Sequence, residues 1–313
     1  MKRILSLLLV LMLVGCSTKQ EKPIKIVCPS GAPSLAFYNE INNDLFSTGD
    51  AASILPELKG ENGSDIIVID TINGIKALNT GSDYKLVATI TFGNFYIAST
   101  GLDDNGVMDD GDYIVVFSQN ATPDLVFHYL YGNKFDSNIH YVQAVSDASA
   151  CLIKGINISD DDRKADEAPY VDYVMIAEPA LTAALSKNEN ASLYVDIQKE
   201  YKTKSNNLEM IQASVFVSNK LSKQQIDNYL MSLEKDINNL LKDPSLFNQA
   251  TSNLSDDEIK EIFSIPSSKI ASKVLTNNSI GLGFKKAIDN KDAIDNFVSI
   301  FGMEKTDEEI YFK

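Results

Sequence analysis

Few side chains in this sequence are equipped for covalent or metal chemistry. It has two histidines, His128 and His140, and three cysteines, Cys16, Cys28 and Cys151. Zinc sites space Cys and His ligands at short, fixed intervals, and no such interval occurs here. The Ser-nucleophile pattern G-x-S-x-G is absent, as is a Gly-rich phosphate loop ending in Lys. His128 follows Asp124 by four residues inside a helical pattern, the spacing of a paired surface or core histidine. The acids around Asp103–Asp112 miss the spacing of an EF-hand calcium loop. Those from Asp160 to Glu167 read as an exposed loop. The sequence therefore predicts no catalytic residue, no metal site and no cofactor.

What remains is recognition by main-chain groups and neutral polar side chains. Two turns stand out because each joins a strand to a helix start. Ser30, Gly31 and Ala32 follow the first strand, with Pro33 suited to a first helical position. Asn120, Ala121 and Thr122 follow a later strand, with Thr122 as the expected N-cap and Pro123 after it. Helix starts offer unpaired N–H groups and a positive dipole end, which suit an anionic or acceptor group. Asp70 and Thr71 lie at another strand end, Asn94 and Phe95 interrupt a strand pattern, and Glu178 precedes Pro179 at the close of an apolar run. These eleven residues are the candidate ligand contacts. Arg163 is the one arginine beyond Arg3, so a bidentate guanidinium clamp on an anion has a single candidate.

The elements that must position them alternate. Ile24–Cys28, Asp65–Ile69, Tyr84–Ile90, Tyr113–Phe117, Ile139–Val142, Val171–Ile176 and Ile211–Ser218 read as strands. Helical patterns separate most of them, as in α/β folds. Val195–Tyr201 reads as a connector. From Ser222 the chain reads as mostly helical, a cover for one sheet. Cys28 and Cys151 fall in apolar patterns far apart and are expected as buried free thiols.

The N-terminus is of a different kind. Lys2 and Arg3 precede the apolar run Ile4–Val14, which is shorter than the roughly twenty residues of a membrane-spanning helix and fits a secretory signal. The run ends Leu13-Val14-Gly15-Cys16, which resembles the lipobox of bacterial lipoproteins. That resemblance implies cleavage before Cys16, lipid on its thiol, and an extracytoplasmic protein held at the membrane. Residues 16–23 are polar and read as a tether. The net charge of −15 repels nucleic acid, which is not expected as a partner.

Four stretches together resemble the substrate-binding proteins of ABC transporters, of the nitrate, taurine, sulfonate and thiamine-precursor class. They are Cys28–Ala36; Asp65–Leu78 with Tyr84–Val87 and Gly93–Tyr96; Asn120–Tyr131; and Val171–Tyr173 with Ala177–Leu181. The resemblance implies a two-lobed α/β periplasmic-binding-protein fold of type II, with two mixed sheets, a two-strand hinge and ligand in the cleft. Lobe one would comprise residues 24–98 and 214–313, and lobe two residues 99–213, after a signal at 1–15. The chain would cross near Asn94–Thr100 and Gln212–Phe216. A small-molecule ligand, an ABC permease and the membrane lipid are the implied partners, for a chain expected to be a monomer. Two departures are evident: Arg163 sits in an acidic insertion, and Asp70–Thr71 stand where the family has a proline. Enzymes of thiamine-pyrimidine and menaquinone synthesis share the fold and form an alternative, which the lipobox opposes. A ligand-sensing surface lipoprotein is another.

Overall fold

The computed structural model describes residues 23–60, 63–102, 105–157 and 169–313. The signal segment, Cys16, most of the tether and the acidic stretch with Arg163 lie outside the described residues. The strands are β1 (Ile26–Pro29), β2 (Phe46–Gly49), β3 (Ile66–Asp70), β4 (Tyr84–Thr91), β5 (Phe95–Ser99), β6 (Ile114–Phe117), β7 (Ile139–Val142), β8 (Tyr173–Ala177), β9 (Ser192–Asp196), β10 (Ala213–Ser218) and β11 (Leu282–Lys286). They form two mixed sheets flanked by helices. The first has the order β11-β4-β10-β3-β1-β2 and the second β7-β6-β8-β5-β9.

Both sheets are covered on both faces, which is why their strands read as continuous apolar runs. The period-two alternation divides the first sheet between two cores. Ile26, Cys28, Ile66, Val68, Val215 and Val217 face one core, whereas Val27, Ile67, Ile69 and Phe216 face the other. The first core is closed by the long helix Lys223–Lys242, which buries Ile226, Leu230, Leu233, Ile237 and Leu240 at three- and four-residue spacing. A reciprocal cap starts that helix: Ser222 Oγ accepts from Gln225 N–H, and Gln225 Oε1 accepts from Ser222 N–H. The second core continues into the second sheet through Ile97, Val115, Val174 and Ile176.

Several expectations need correction. The chain leaves the first sheet after Thr91 and crosses at Phe92–Asn94, so Phe95–Ala98, expected in lobe one, are a strand of the second sheet. Both sheets are mixed, as expected: in the first, β10 returns from the second sheet and inserts antiparallel between β3 and β4, and in the second β5 runs antiparallel to β8 and β9. Val195–Tyr201 is no connector: it spans the end of β9 and the helix Ile197–Lys204, capped by Asp196. The C-terminal third also supplies β11, an edge strand beside β4. Cys28 and Cys151 are both buried free thiols, one in β1 and the other in the helix Val145–Lys154.

Candidate functional site

The carboxyl ends of β1, β3 and β8 converge on one cleft, the position where open α/β sheets receive ligands. A cavity of about 670 Å³ lies there. Its wall on the first-sheet side comprises Pro29, Ser30, Gly31, Ala32, Pro33, Ala51, Asp70 and Ala213, with Lys260, Ser264 and Pro266 from the C-terminal third. The opposite wall comprises Val145, Ser146, Ser149, Ala177, Glu178, Pro179, Ala180, Ala183 and Lys187. Asn94 and Gln212, one from each crossing segment, complete the lining. A second chamber of about 580 Å³ adjoins it past Ser30 and Ala51, bordered by Asp50 and Glu261. Ser30 Oγ donates to Glu261 O at 3.0 Å between the two.

The Ser30 turn keeps its place through main-chain bonds. Ser30 N–H donates to Gly49 O and Ser34 N–H to Gly31 O, and the short 3-10 helix Ala32–Phe37 follows. Gly31 has φ 121°, a conformation that side chains with a Cβ rarely adopt. Asp70 caps the helix Thr71–Asn79. Its Oδ1 accepts from Asn73 N–H at 2.9 Å and its Oδ2 from Asn73 Nδ2 at 2.8 Å. Burial pushes the Asp70 carboxyl above its ordinary range, against the pull of the Asn73 bonds and of Lys76.

Asn94 and Glu178 form the joint between the walls. Glu178 N–H donates to Asn94 O at 2.9 Å, and Asn94 Nδ2 returns a bond to Glu178 O at 2.8 Å. The Glu178 carboxylate is buried and fully engaged. Thr182 N–H and Thr182 Oγ1 donate to it at 2.9 and 2.7 Å, and Ser279 Oγ donates from the first-sheet side at 2.9 Å. Tyr96 O–H donates to Ser279 O at 2.7 Å beside it. Expected as a ligand contact, Glu178 uses its bonds to hold the interface between the walls.

Of the expected contacts, Ser30, Gly31, Ala32, Asp70, Asn94 and Glu178 come together around this cavity, and five do not. Thr71 is buried, sharing a 2.7 Å hydrogen bond with Ser214 Oγ. Phe95 is buried with its ring edge-on to Phe117 at 6.0 Å, and its main chain is gripped by the Gln198 side-chain amide. Asn120, Ala121 and Thr122 lie off the cavity, at the end of β6. Ala121 is the N-cap of Thr122–Tyr131, so Thr122 is the first helical residue and caps nothing. The turn is tied instead by Asp124, whose Oδ2 accepts from Asn120 N–H at 2.7 Å and whose Oδ1 accepts from Tyr141 O–H at 2.8 Å.

Sequence reasoning missed the residues that replace that turn. Val145, Ser146 and Ser149 belong to the start of Val145–Lys154, which follows β7; the side chain that bonds back there is Asp147, to Ala144 N–H at 3.0 Å. Asp147 three residues into the helix was a readable signal. Lys187 and Lys260 carried no local signal, and Gln212 was marked as the start of the second crossing but not as a residue of the cavity. Among the described residues, which include neither arginine, no aromatic ring lines the cavity. His128 lies elsewhere, 2.9 Å from Asp124 and 3.2 Å from Asp136. Among the described residues no group of His, Cys, Asp and Glu could hold a metal, and no helix is long and apolar enough to cross a membrane.

No family model matches the chain, and no curated protein matches it by sequence. Solved structures do. An ABC transporter from Parabacteroides distasonis is 19% identical with a TM-score of 0.70, covering 93% of this chain and 98% of its own. The periplasmic aliphatic sulphonate binding protein SsuA of Escherichia coli is 14% identical with a TM-score of 0.60, over 93% and 92%. The ligand binding component of an ABC-type import system from Staphylococcus aureus, solved with zinc bound, is 12% identical with a TM-score of 0.62, over 93% and 96%. The architecture is thus the two-lobed periplasmic-binding-protein fold, of the form seen in sulfonate-binding proteins.

Proposed function

We propose that this protein is a lipid-anchored, extracytoplasmic solute-binding protein that delivers a small molecule to an ABC importer. The observation that carries the reading is the cavity of about 670 Å³ whose walls come from both sheets and whose floor is the two crossing segments. Such a site can close on a solute by hinge bending and release it by opening. Its lining supports capture without turnover. Neither histidine and neither buried cysteine borders it, and its two carboxylates are engaged, Glu178 by Thr182 and Ser279 and Asp70 by Asn73. The solved transport proteins of the same fold support the assignment to import. The Leu13–Cys16 pattern supports the anchor, and the ABC permease is the partner that follows.

Two measurements test this. Native mass spectrometry of the gently purified protein should detect a small molecule that is returned unchanged after long incubation; a product appearing in its place refutes the reading. Clickable fatty acid should label the wild type and not Cys16→Ser, which should be released to the medium. Persistent label in the variant refutes the anchor.

A further inference from the structure

We infer that the second chamber is a subsite of the cleft and that the solute is elongated, with a compact, mainly apolar body in the main cavity and an arm bearing hydrogen-bond donors, ammonium or hydroxyl, in the chamber. This rests on the solute-binding reading above and narrows it to a chemical class.

The two spaces are continuous, because Pro29, Ser30, Ala51 and Ser264 line both. The chamber, about 580 Å³, is nearly as large as the main cavity but is built differently. Its walls are the ends of β1 and β2 with Asp50 and Ala51 on one side, and the last turn of the helix Asp256–Phe263 with Ser264 on the other. No residue of the opposite wall of the cleft borders it. Hinge bending moves the walls of the main cavity against each other, but it leaves the chamber's shape unchanged. The chamber is therefore a built feature of the first-sheet side and not the gap of an open cleft. Ser30 ties its two sides together at the threshold: its N–H donates to Gly49 O at 3.0 Å and its Oγ to Glu261 O at 3.0 Å.

The linings differ in kind. Much of the main cavity is small and apolar, as at Ala32, Pro33, Val145, Ala177, Ala180 and Ala213. The chamber is polar and short of cations. Lys260 and Glu261 are neighbours on one helix, yet Lys260 borders the main cavity and Glu261 the chamber. Among the described residues no Lys, Arg or His borders the chamber, and the Glu261 carboxylate, exposed there, has no hydrogen-bond or ion-pair partner. Asp50 Oδ1 accepts from Ala52 N–H at 3.1 Å, and the negative end of the helix dipole points the same way. Thr48 adds a hydroxyl. An arm carrying lone pairs only would meet lone pairs here, whereas an ammonium or hydroxyl group finds acceptors.

The test titrates the purified protein calorimetrically with three probes that share one body: cyclohexanecarboxamide, its N-(2-aminoethyl) derivative and the isosteric N-propyl derivative. The aminoethyl probe should bind about tenfold tighter than either of the others, as a charge-assisted hydrogen bond gives. Thr48→Phe fills the chamber from a half-exposed edge-strand position where an aromatic residue is well accommodated. It should abolish that tenfold gain and leave the affinity of the parent amide unchanged, with an unliganded Tm near that of the wild type as the control for folding. Glu261→Gln, at an exposed helix position, should weaken the aminoethyl probe several-fold and the N-propyl probe not at all. Equal affinities for the three probes overturn the inference and leave the solute-binding reading standing, as does a Thr48→Phe protein that keeps the gain. If none of the three binds, the molecule carried through native purification decides: an elongated solute with a donor-bearing arm supports the inference, and a compact one overturns it. If no molecule is carried either, the solute-binding reading falls and the inference with it.

Discussion

Glu178 and Ser279 meet across the cleft, Ser279 Oγ donating to Glu178 Oε1 at 2.9 Å over a separation of 101 residues. The bond links the end of the second sheet to the segment just before β11 of the first. Hydrogen bonds to a charged group contribute about 1.5–3 kcal/mol. Ser279→Ala should lower unfolding free energy by about that much in urea titration, and Glu178→Gln by a similar amount. The double variant should cost clearly less than the sum of the two. Strict additivity would show that the two residues act separately.

Asp70→Asn should separate stability from binding. The folded carboxyl sits above its ordinary range because burial disfavours the charge. An acid raised on folding penalises the native state once pH exceeds its unfolded value of about 3.9. Asn caps a helix as well as Asp does. The unliganded variant should therefore melt higher than wild type at pH 7, and the gain should vanish below about pH 4. Ligand affinity should fall at pH 7. A variant less stable than wild type at pH 7 would contradict this account.

Gly281 is the crossing's tightest approach. A Cβ there would lie 1.9 Å from Gly93 O, at φ +67°, and Gly281 O accepts from Phe92 N–H at 2.8 Å. Gly281→Ala must displace the crossing backbone and should cost about 1–3 kcal/mol as well as weaken binding. Gly31→Ala meets no atom within 4 Å; it carries only the strain of φ +121°, about 1 kcal/mol. Denaturant midpoints of both variants check the order, and the reverse order would refute it.

At the β6 turn the carboxylate, not the hydroxyl, should matter. Thr122→Ala should change stability by less than about 0.5 kcal/mol. Asp124→Ala strands Asn120 N–H and Tyr141 O–H and should cost about 1–3 kcal/mol. Neither should alter ligand affinity beyond its effect on folding. A loss of affinity in Thr122→Ala would return that turn to the binding site.

The strands were legible because burial on both faces leaves long apolar runs, as in Ile66–Ile69 and Val174–Ile176. Short edge elements were not: Phe46–Gly49 and Leu282–Lys286 are half exposed and carry Ser, Thr, Gly and Lys, so no pattern separates them from loop. The cleft was half legible. Ser30–Ala32, Asp70 and Glu178 lie at strand ends, which sequence can mark. Which of two consecutive strand-to-helix turns reaches the cavity depends on the face of the sheet its helix takes, a property of packing alone. That is why Asn120–Thr122 was expected and Val145–Ser149 was found. Gln212 and Ser279 are polar residues in unremarkable loops; their roles exist only once distant segments are juxtaposed.

The insertion of β10 between β3 and β4 has a consequence for the order in which the chain can become itself. The second sheet is contiguous in sequence, from Phe95 to Asp196, and can form as soon as that length is available. The first sheet cannot. Until Ala213–Ser218 arrive, β3 and β4 have no shared neighbour and each presents an unpaired edge. Lys260, Ser264, Pro266 and Ser279 come later still. During synthesis the half made first waits longest, so the cavity is among the last features the polypeptide completes.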